Sequence, residues 1–279
     1  MQRGRVRRVK IGLNAGIFPG GPAAAEACRL TKAAGAQGCE LNVGETGAFS
    51  LETGAAELAA IHQAAADAGI ELPSLHCGLH WKYPLTDPDA TVRQKGIAAL
   101  SRSLEIGAEL GCRVLLVVPG VVKPEVPYAE AYTRAQEAVA ILARRAEALG
   151  LSIGVENVWN RFLLSPLEMA RFIDEVGSSA VGAYFDVGNI LQYGYPQHWI
   201  ATLGSRIRAV HFKDYRTDVP GGGGFVYLLQ GDVPWKACMA EMRRVGYDGY
   251  VTAELGPYRH FPERAAGDTV AAMRAIVGG

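Results

Sequence analysis

Short apolar runs alternate with longer segments rich in Ala, Leu, Glu and Arg, and this alternation constrains the fold more than any other feature of the chain. The runs are nearly continuous in apolar residues, as in parallel strands that are buried on both faces. They predict strands at residues 9–13, 38–43, 72–77, 113–118, 152–158, 182–186, 207–213 and 249–255. The segments between them predict helices at residues 23–34, 55–68, 90–110, 128–149, 166–176, 197–203, 235–245 and 262–276.

Glycines mark the ends of most predicted helices. Each one follows a helix and precedes a strand, where a glycine in the left-handed conformation ends a helix well. These glycines are Gly35, Gly69, Gly111, Gly150, Gly177 and Gly246. The eight strand–helix units predict an α/β protein with a single (β/α)8 barrel domain over residues 1–279. A doubly wound sheet is disfavoured because no GxGxxG motif follows the first strand.

The charge balance excludes several classes of partner. The chain has 28 basic (Lys and Arg) and 28 acidic (Asp and Glu) residues, whereas a wide nucleic-acid or membrane surface usually carries excess basic charge. We therefore expect neither partner. Residues 1–8 are predicted to be a solvated basic tail rather than the start of a signal peptide, since Lys10, Asn14 and Pro19 interrupt the apolar stretch that would have to follow.

Five scattered cysteines without a CxxC spacing predict reduced, mostly buried thiols and a cytoplasmic protein. They are Cys28, Cys39, Cys77, Cys112 and Cys238.

Four consecutive predicted strands, the fifth to the eighth, each end with one ionisable side chain. These side chains are Glu156, Asp186, His211 and Glu254. Chemistry in (β/α)8 barrels lies at the carboxyl ends of the strands, and isolated buried carboxylates are costly. Three carboxylates and one imidazole on a common ring therefore predict a site for a divalent cation of intermediate hardness.

Several motifs resemble those of the xylose isomerase-like barrels. Within them, the chain is similar to the sugar phosphate isomerases and epimerases, especially the L-ribulose and L-xylulose 5-phosphate 3-epimerases, and more distantly to the D-tagatose and D-psicose 3-epimerases. The motifs are GAQGCEL (35–41), PSLHCGLHWKYPL (73–85), GVEN (154–157), YFDVGNI (184–190), VHFKD (210–214), QGDVPW (230–235) and GYDGYVTAEL (246–255).

This resemblance implies that Glu156, Asp186, His211 and Glu254 bind a divalent metal ion, with Mn²⁺ expected first and Co²⁺, Mg²⁺ or Zn²⁺ as alternatives. It further implies that Glu156 and Glu254 are the catalytic acid/base pair, which inverts C3 of a ketose through a metal-stabilised cis-enediolate. The substrate is expected to be a sugar or sugar phosphate, and the protein a homodimer or homotetramer in the cytoplasm.

Four further residues are predicted to contact the substrate. The resemblance suggests Glu40, at the end of the second strand, and His80, after the third. Lys213 shares the inward face of the seventh strand with His211, and Arg216 lies close to a position where free-sugar 3-epimerases carry an arginine. Those epimerases usually also carry a histidine where this chain has Gly188, and this difference favours a phosphorylated sugar or an unusual polyol.

Three alternative functions stay open at this point. One is a lyase that resembles inosose dehydratase, which shares the barrel, the metal ring and an HxKD segment such as residues 211–214. Another is a DNA-repair enzyme of the apurinic endonuclease type, which is disfavoured because it needs additional ligands and the chain has six histidines. The third is a barrel that binds a polyol without catalysis.

Overall fold

The computed structural model describes residues 9–279 and contains a closed barrel of eight parallel strands. The predicted basic tail, residues 1–8, lies outside the described residues. The barrel strands are β1 (Lys10–Asn14), β2 (Gly38–Val43), β3 (Ser74–Cys77), β4 (Val114–Val117), β5 (Ser152–Glu156), β6 (Val181–Asp186), β7 (Ile207–Phe212) and β10 (Tyr250–Ala253). Between β7 and β10, the short strands β8 (Asp214–Tyr215) and β9 (Phe225–Val226) form an antiparallel hairpin. The predicted (β/α)8 barrel is thus confirmed.

Helices surround the barrel at the predicted places. They are α1 (Ala24–Ala34), α2 (Ala55–Ala68), α3 (Ala90–Glu109), α4 (Tyr128–Leu149), α5 (Pro166–Val176), α6 (Pro196–Leu203), α7 (Trp235–Arg244) and α8 (Ala265–Gly278). The six glycines predicted to end helices all have positive φ, which confirms that prediction. The last helix begins three residues later than predicted because Pro262–Arg264 form a 3₁₀ turn.

The strands bring a polar layer into the barrel interior. Asn14 pairs in register with Glu40, and Asp186 pairs with His211, which places side chains from distant parts of the chain at similar heights. Apolar side chains on the opposite strand faces pack against the helices in one large core. All five cysteines are free and buried, as predicted.

The hairpin of β8 and β9 extends from the carboxyl end of β7. Asp214 is completely buried at its base and accepts hydrogen bonds from the backbone N–H groups of Leu229 (2.9 Å) and Val233 (3.2 Å). The four-glycine run, Gly221–Gly224, is the 3₁₀ turn that connects the two strands. Within residues 9–279, no helix combines the length and apolar character needed to cross a bilayer.

Candidate metal centre and active site

The four side chains predicted to bind a metal lie together at the carboxyl end of the barrel. One potential ligand atom from each of Glu156, Asp186, His211 and Glu254 lies within 4.8 Å of the others. They come from β5, β6, β7 and the end of β10, which are neighbours in the barrel. Glu156 and Glu254 are therefore the two outer members of the cluster, with Asp186 and His211 between them.

Burial and neighbouring charges strongly shift the pKa values of Glu156 and His211. His211 Nδ1 lies 3.3 Å from Glu156 Oε1 and 3.3 Å from Glu254 Oε2. Burial acts to lower the pKa of His211, but the surrounding carboxylates, Glu40 and Glu254 above all, raise it well above its usual value. Burial and the charge of Glu254 raise the pKa of Glu156 to about 7, against the opposing effect of His211.

Lys213 balances part of the negative charge of the cluster. Its Nζ lies 3.2 Å from Asp186 Oδ2 and 2.5 Å from Glu254 Oε2, so its side chain reaches the cluster as the alternation along β7 predicts. Burial acts to lower the pKa of Lys213, but Asp186 and Glu254 raise it overall. The same ammonium lies 5.6 Å from the centre of the Phe225 ring on the hairpin.

The residues present fit a divalent cation. Asp186 Oδ2 and Glu254 Oε2 are buried, and although both are close to Lys213, neither has a hydrogen-bond partner of acceptable geometry in the described part of the chain. Buried polar atoms normally have such partners, so both oxygens could bind a cation in addition to their ion pairs with Lys213. Carboxylate oxygens together with one imidazole nitrogen suit Mn²⁺ and related ions.

Two asparagines, which the sequence analysis did not single out, fix the orientation of Asp186. The backbone N–H of Asn189 donates to Asp186 Oδ1 (2.8 Å), while the Asn157 side chain bonds both the N–H (2.9 Å) and the C=O (2.8 Å) of Asp186. This arrangement leaves Oδ2 toward the cluster. Their position within the GVEN and YFDVGNI motifs, one and three residues after the strand ends, was a signal that could have identified them.

His80 lies in the 3₁₀ turn Gly78–Trp81 that follows β3 and is 2% exposed. Its Nδ1 is buried without a hydrogen-bond partner among the described residues. Burial, with the neighbouring His76, lowers the pKa of His80 to about 3, against a raising effect of Glu254, so the ring is neutral at physiological pH.

Two of the predicted substrate contacts are bonded to other groups of the protein. Arg216 is about half exposed, and its guanidinium binds both carboxylate oxygens of Asp218 on the hairpin (3.0 and 2.6 Å). Glu40 is completely buried in the barrel interior, with both oxygens already hydrogen-bonded. Substrate contact by these two residues stays a prediction.

We expect Gly188→Ala to destabilise the protein and displace Lys213. A Cβ atom at this buried position would lie 2.6 Å from Lys213 Cβ and 2.9 Å from its carbonyl carbon and oxygen, which real contacts do not allow. Overpacking of this kind typically costs about 1–3 kcal/mol. Chemical denaturation would measure the loss in the free energy of unfolding, and kcat would report the displaced ammonium.

Gly222→Ala is the matched control for this substitution, because a Cβ atom at that exposed position meets nothing within 4 Å. It should leave stability and kcat close to wild type. A Gly188→Ala protein as stable and as active as wild type would show that Lys213 does not depend on this close approach.

The comparisons with known proteins agree with the observed fold. The profile of the xylose isomerase-like TIM barrel family matches residues 28–276. A 2-epi-5-epi-valiolone 7-phosphate 2-epimerase of Actinoplanes sp. is 32% identical over 181 residues, which are 65% of this chain and 63% of that relative. A putative L-ribulose-5-phosphate 3-epimerase of Haemophilus influenzae is 24% identical over 90% of each chain.

Among solved structures, an L-ribulose 3-epimerase superposes with a TM-score of 0.82 at 18% identity and covers 97% of this chain and 95% of its own.

Proposed function

The chain belongs to the family of xylose isomerase-like TIM barrels, and on that premise we propose that it is a metal-dependent epimerase that inverts the carbon next to the ketone of a sugar or sugar phosphate. The observation that carries the proposal is the arrangement of Glu156 and Glu254 on either side of Asp186 and His211. Inversion requires proton removal on one face of a carbon and proton return on the other, and two flanking carboxyl groups provide this.

A divalent cation bound by Glu156, Asp186, His211 and Glu254 would act as a Lewis acid on the ketone and a neighbouring hydroxyl, which makes the proton on the carbon between them more acidic. The fit of the donor set supports this assignment, as does the lack of a well-oriented hydrogen-bond donor to Asp186 Oδ2 and Glu254 Oε2 among the described residues.

The two glutamates differ in protonation, which suits complementary roles. Burial acts to raise the pKa of Glu254, but His211 and Lys213 hold it well below its usual value, so this side chain is an ionised carboxylate at neutral pH. Glu156, with its raised pKa, can carry and return one near neutral pH. In a catalytic acid/base pair, the two environments typically shift the two pKa values apart. In the reverse reaction the two residues exchange roles.

Lys213 and His80 are the proposed substrate contacts. The Lys213 ammonium, beside Glu254, can stabilise the negative charge that develops on the enediolate oxygen. The neutral His80 ring offers an unpartnered nitrogen that can bond to a substrate hydroxyl.

The names of the similar proteins support the reaction class. All three are epimerases, and two of them act on phosphorylated substrates. The apurinic endonuclease alternative receives no support, since the described residues contain one group of three or more possible ligands rather than the several that three metal ions need.

A substrate panel tests the proposal. The protein would be stripped with EDTA, reloaded with Mn²⁺, and incubated with L-ribulose, L-ribulose 5-phosphate, D-psicose, 2-epi-5-epi-valiolone 7-phosphate and an inosose, with products identified by NMR. We expect a metal-dependent epimer from at least one ketone, and the comparison of L-ribulose with L-ribulose 5-phosphate shows whether the substrate is phosphorylated. Loss of water instead of inversion would establish the lyase, and a metal-bound protein that converts none of them would contradict the proposal.

A further inference from the structure

We propose that Glu40 is a positioning residue, which holds His211 from inside the barrel so that the Nδ1 atom of the imidazole faces the divalent cation. This inference rests on the metal dependence proposed above. It assigns to Glu40 a role in shaping the metal site in place of contact with the substrate.

The first observation is that four donors surround the Glu40 carboxylate, which is completely buried. Oε1 accepts from Asn14 Nδ2 (2.7 Å) and lies 2.8 Å from His211 Nε2. Oε2 accepts from Ser74 Oγ (2.6 Å) and Tyr184 Oη (2.5 Å). An environment made of donors favours an ionised carboxylate that only accepts hydrogen bonds.

This environment determines which nitrogen of the His211 ring carries a proton. Because Glu40 only accepts, the nitrogen facing it, Nε2, must carry a proton. A divalent cation can then take only the other nitrogen, Nδ1, in place of its proton, and Nδ1 lies 3.3 Å from carboxylate oxygens of both Glu156 and Glu254. A carboxylate that fixes the tautomer and orientation of a ligand histidine strengthens metal binding.

Neighbouring groups prevent the ring and the carboxylate from turning. The Tyr184 ring lies against the imidazole, with 4.4 Å between the ring centres, while its hydroxyl binds Glu40. Tyr184 itself is held over Gly154, where an added Cβ would lie 2.9 Å from Tyr184 Cβ. Asn14 is fixed in turn by a reciprocal side-chain pair with Asn42 (2.8 and 2.9 Å). Glu40 therefore links His211 to a rigid polar layer of the barrel.

The test compares Mn²⁺ binding to Glu40→Gln and Ser74→Ala by calorimetry. Ser74→Ala removes one neutral hydrogen bond to the Glu40 carboxylate, whereas Glu40→Gln removes the negative charge that faces His211. We expect the affinity of Glu40→Gln for Mn²⁺ to fall by about 10- to 100-fold, the usual effect of losing such a partner. Ser74→Ala should bind Mn²⁺ nearly as tightly as wild type. Equal affinity in Glu40→Gln and wild type, with the fold intact by circular dichroism, would overturn the proposal.

A second measurement needs no variant and covers the case in which Glu40→Gln does not fold. In ¹⁵N-histidine spectra of the Zn²⁺-loaded wild type, His211 should carry its proton on Nε2 and the metal on Nδ1. The opposite arrangement would overturn the proposal. A wild-type protein that binds no divalent cation would contradict the proposed function itself, so the two failures are distinguishable.

Discussion

Replacing Glu254 by glutamine is expected to lower kcat by about 10²- to 10⁴-fold, the usual loss for an acid/base group. The amide retains the shape of the side chain but cannot accept a proton at neutral pH. The side chain of Glu254 is 25% exposed, so it is the member of the cluster most accessible from solvent. Steady-state kinetics at saturating Mn²⁺ would measure the loss, and circular dichroism would verify the fold.

The matched control is Glu263→Gln. This residue is exposed in the turn that precedes α8, on the same connection as Glu254, and the substitution removes the same charge. It should leave kcat unchanged. Full activity in Glu254→Gln would refute the acid/base role of this residue, whereas an equal loss in both variants would point to a general effect of charge.

The second large effect is expected for His211→Ala, which should abolish the stabilisation of the folded protein by Mn²⁺. A ligand that binds only the folded state stabilises it by about 2.7 kcal/mol at a concentration 100 times its Kd. For a domain of this size, that corresponds to a rise in Tm of roughly 5–10 °C. Thermal scans of the wild type with and without Mn²⁺ should show this rise, and scans of His211→Ala should show little.

The comparison is made within each variant, so any change in the stability of the metal-free protein cancels. His198→Ala, which removes an exposed histidine, is the control and should keep the full Mn²⁺-dependent rise. Asp186→Asn is a second variant at the site. It should also lose the rise, because the substitution replaces a negatively charged carboxylate, whose Oδ2 atom has no hydrogen-bond partner among the described residues, by a neutral amide. A full rise in His211→Ala would contradict metal binding by this residue.

The barrel and the cluster could be predicted because each depends on local patterns that repeat. Every strand is a short apolar run, and the end of a strand fixes the height of the residue there. The strands that carry the cluster, β5, β6, β7 and β10, are neighbours in the barrel, so ionisable residues at their ends had to meet. The same reasoning predicted that Lys213 would share a face with His211.

The roles of Glu40 and Arg216 could not be predicted in this way because they depend on partners that local patterns do not identify. The donors to Glu40 come from β1, β3, β6 and β7, and which of them meet depends on the stagger of the closed barrel. Arg216 lies in the hairpin and forms an ion pair with Asp218. The two strands of this hairpin have two residues each, which is too short for an alternating pattern to be recognised in the sequence. From the sequence, Gly188 was interpreted only as the absence of a histidine. The structure shows that Lys213 lies too close to this position for a side chain to fit.

The most direct test of a two-glutamate epimerase is the reaction in D₂O with the substrate that the panel identifies. Proton removal by one carboxyl group and return by the other must bring a solvent-derived hydrogen to the inverted carbon. We predict that product formed by the Mn²⁺-loaded protein carries deuterium at that carbon, and that the EDTA-treated protein forms neither product nor label. Epimer that forms without deuterium at the inverted carbon, or at the same rate without metal, would contradict the account.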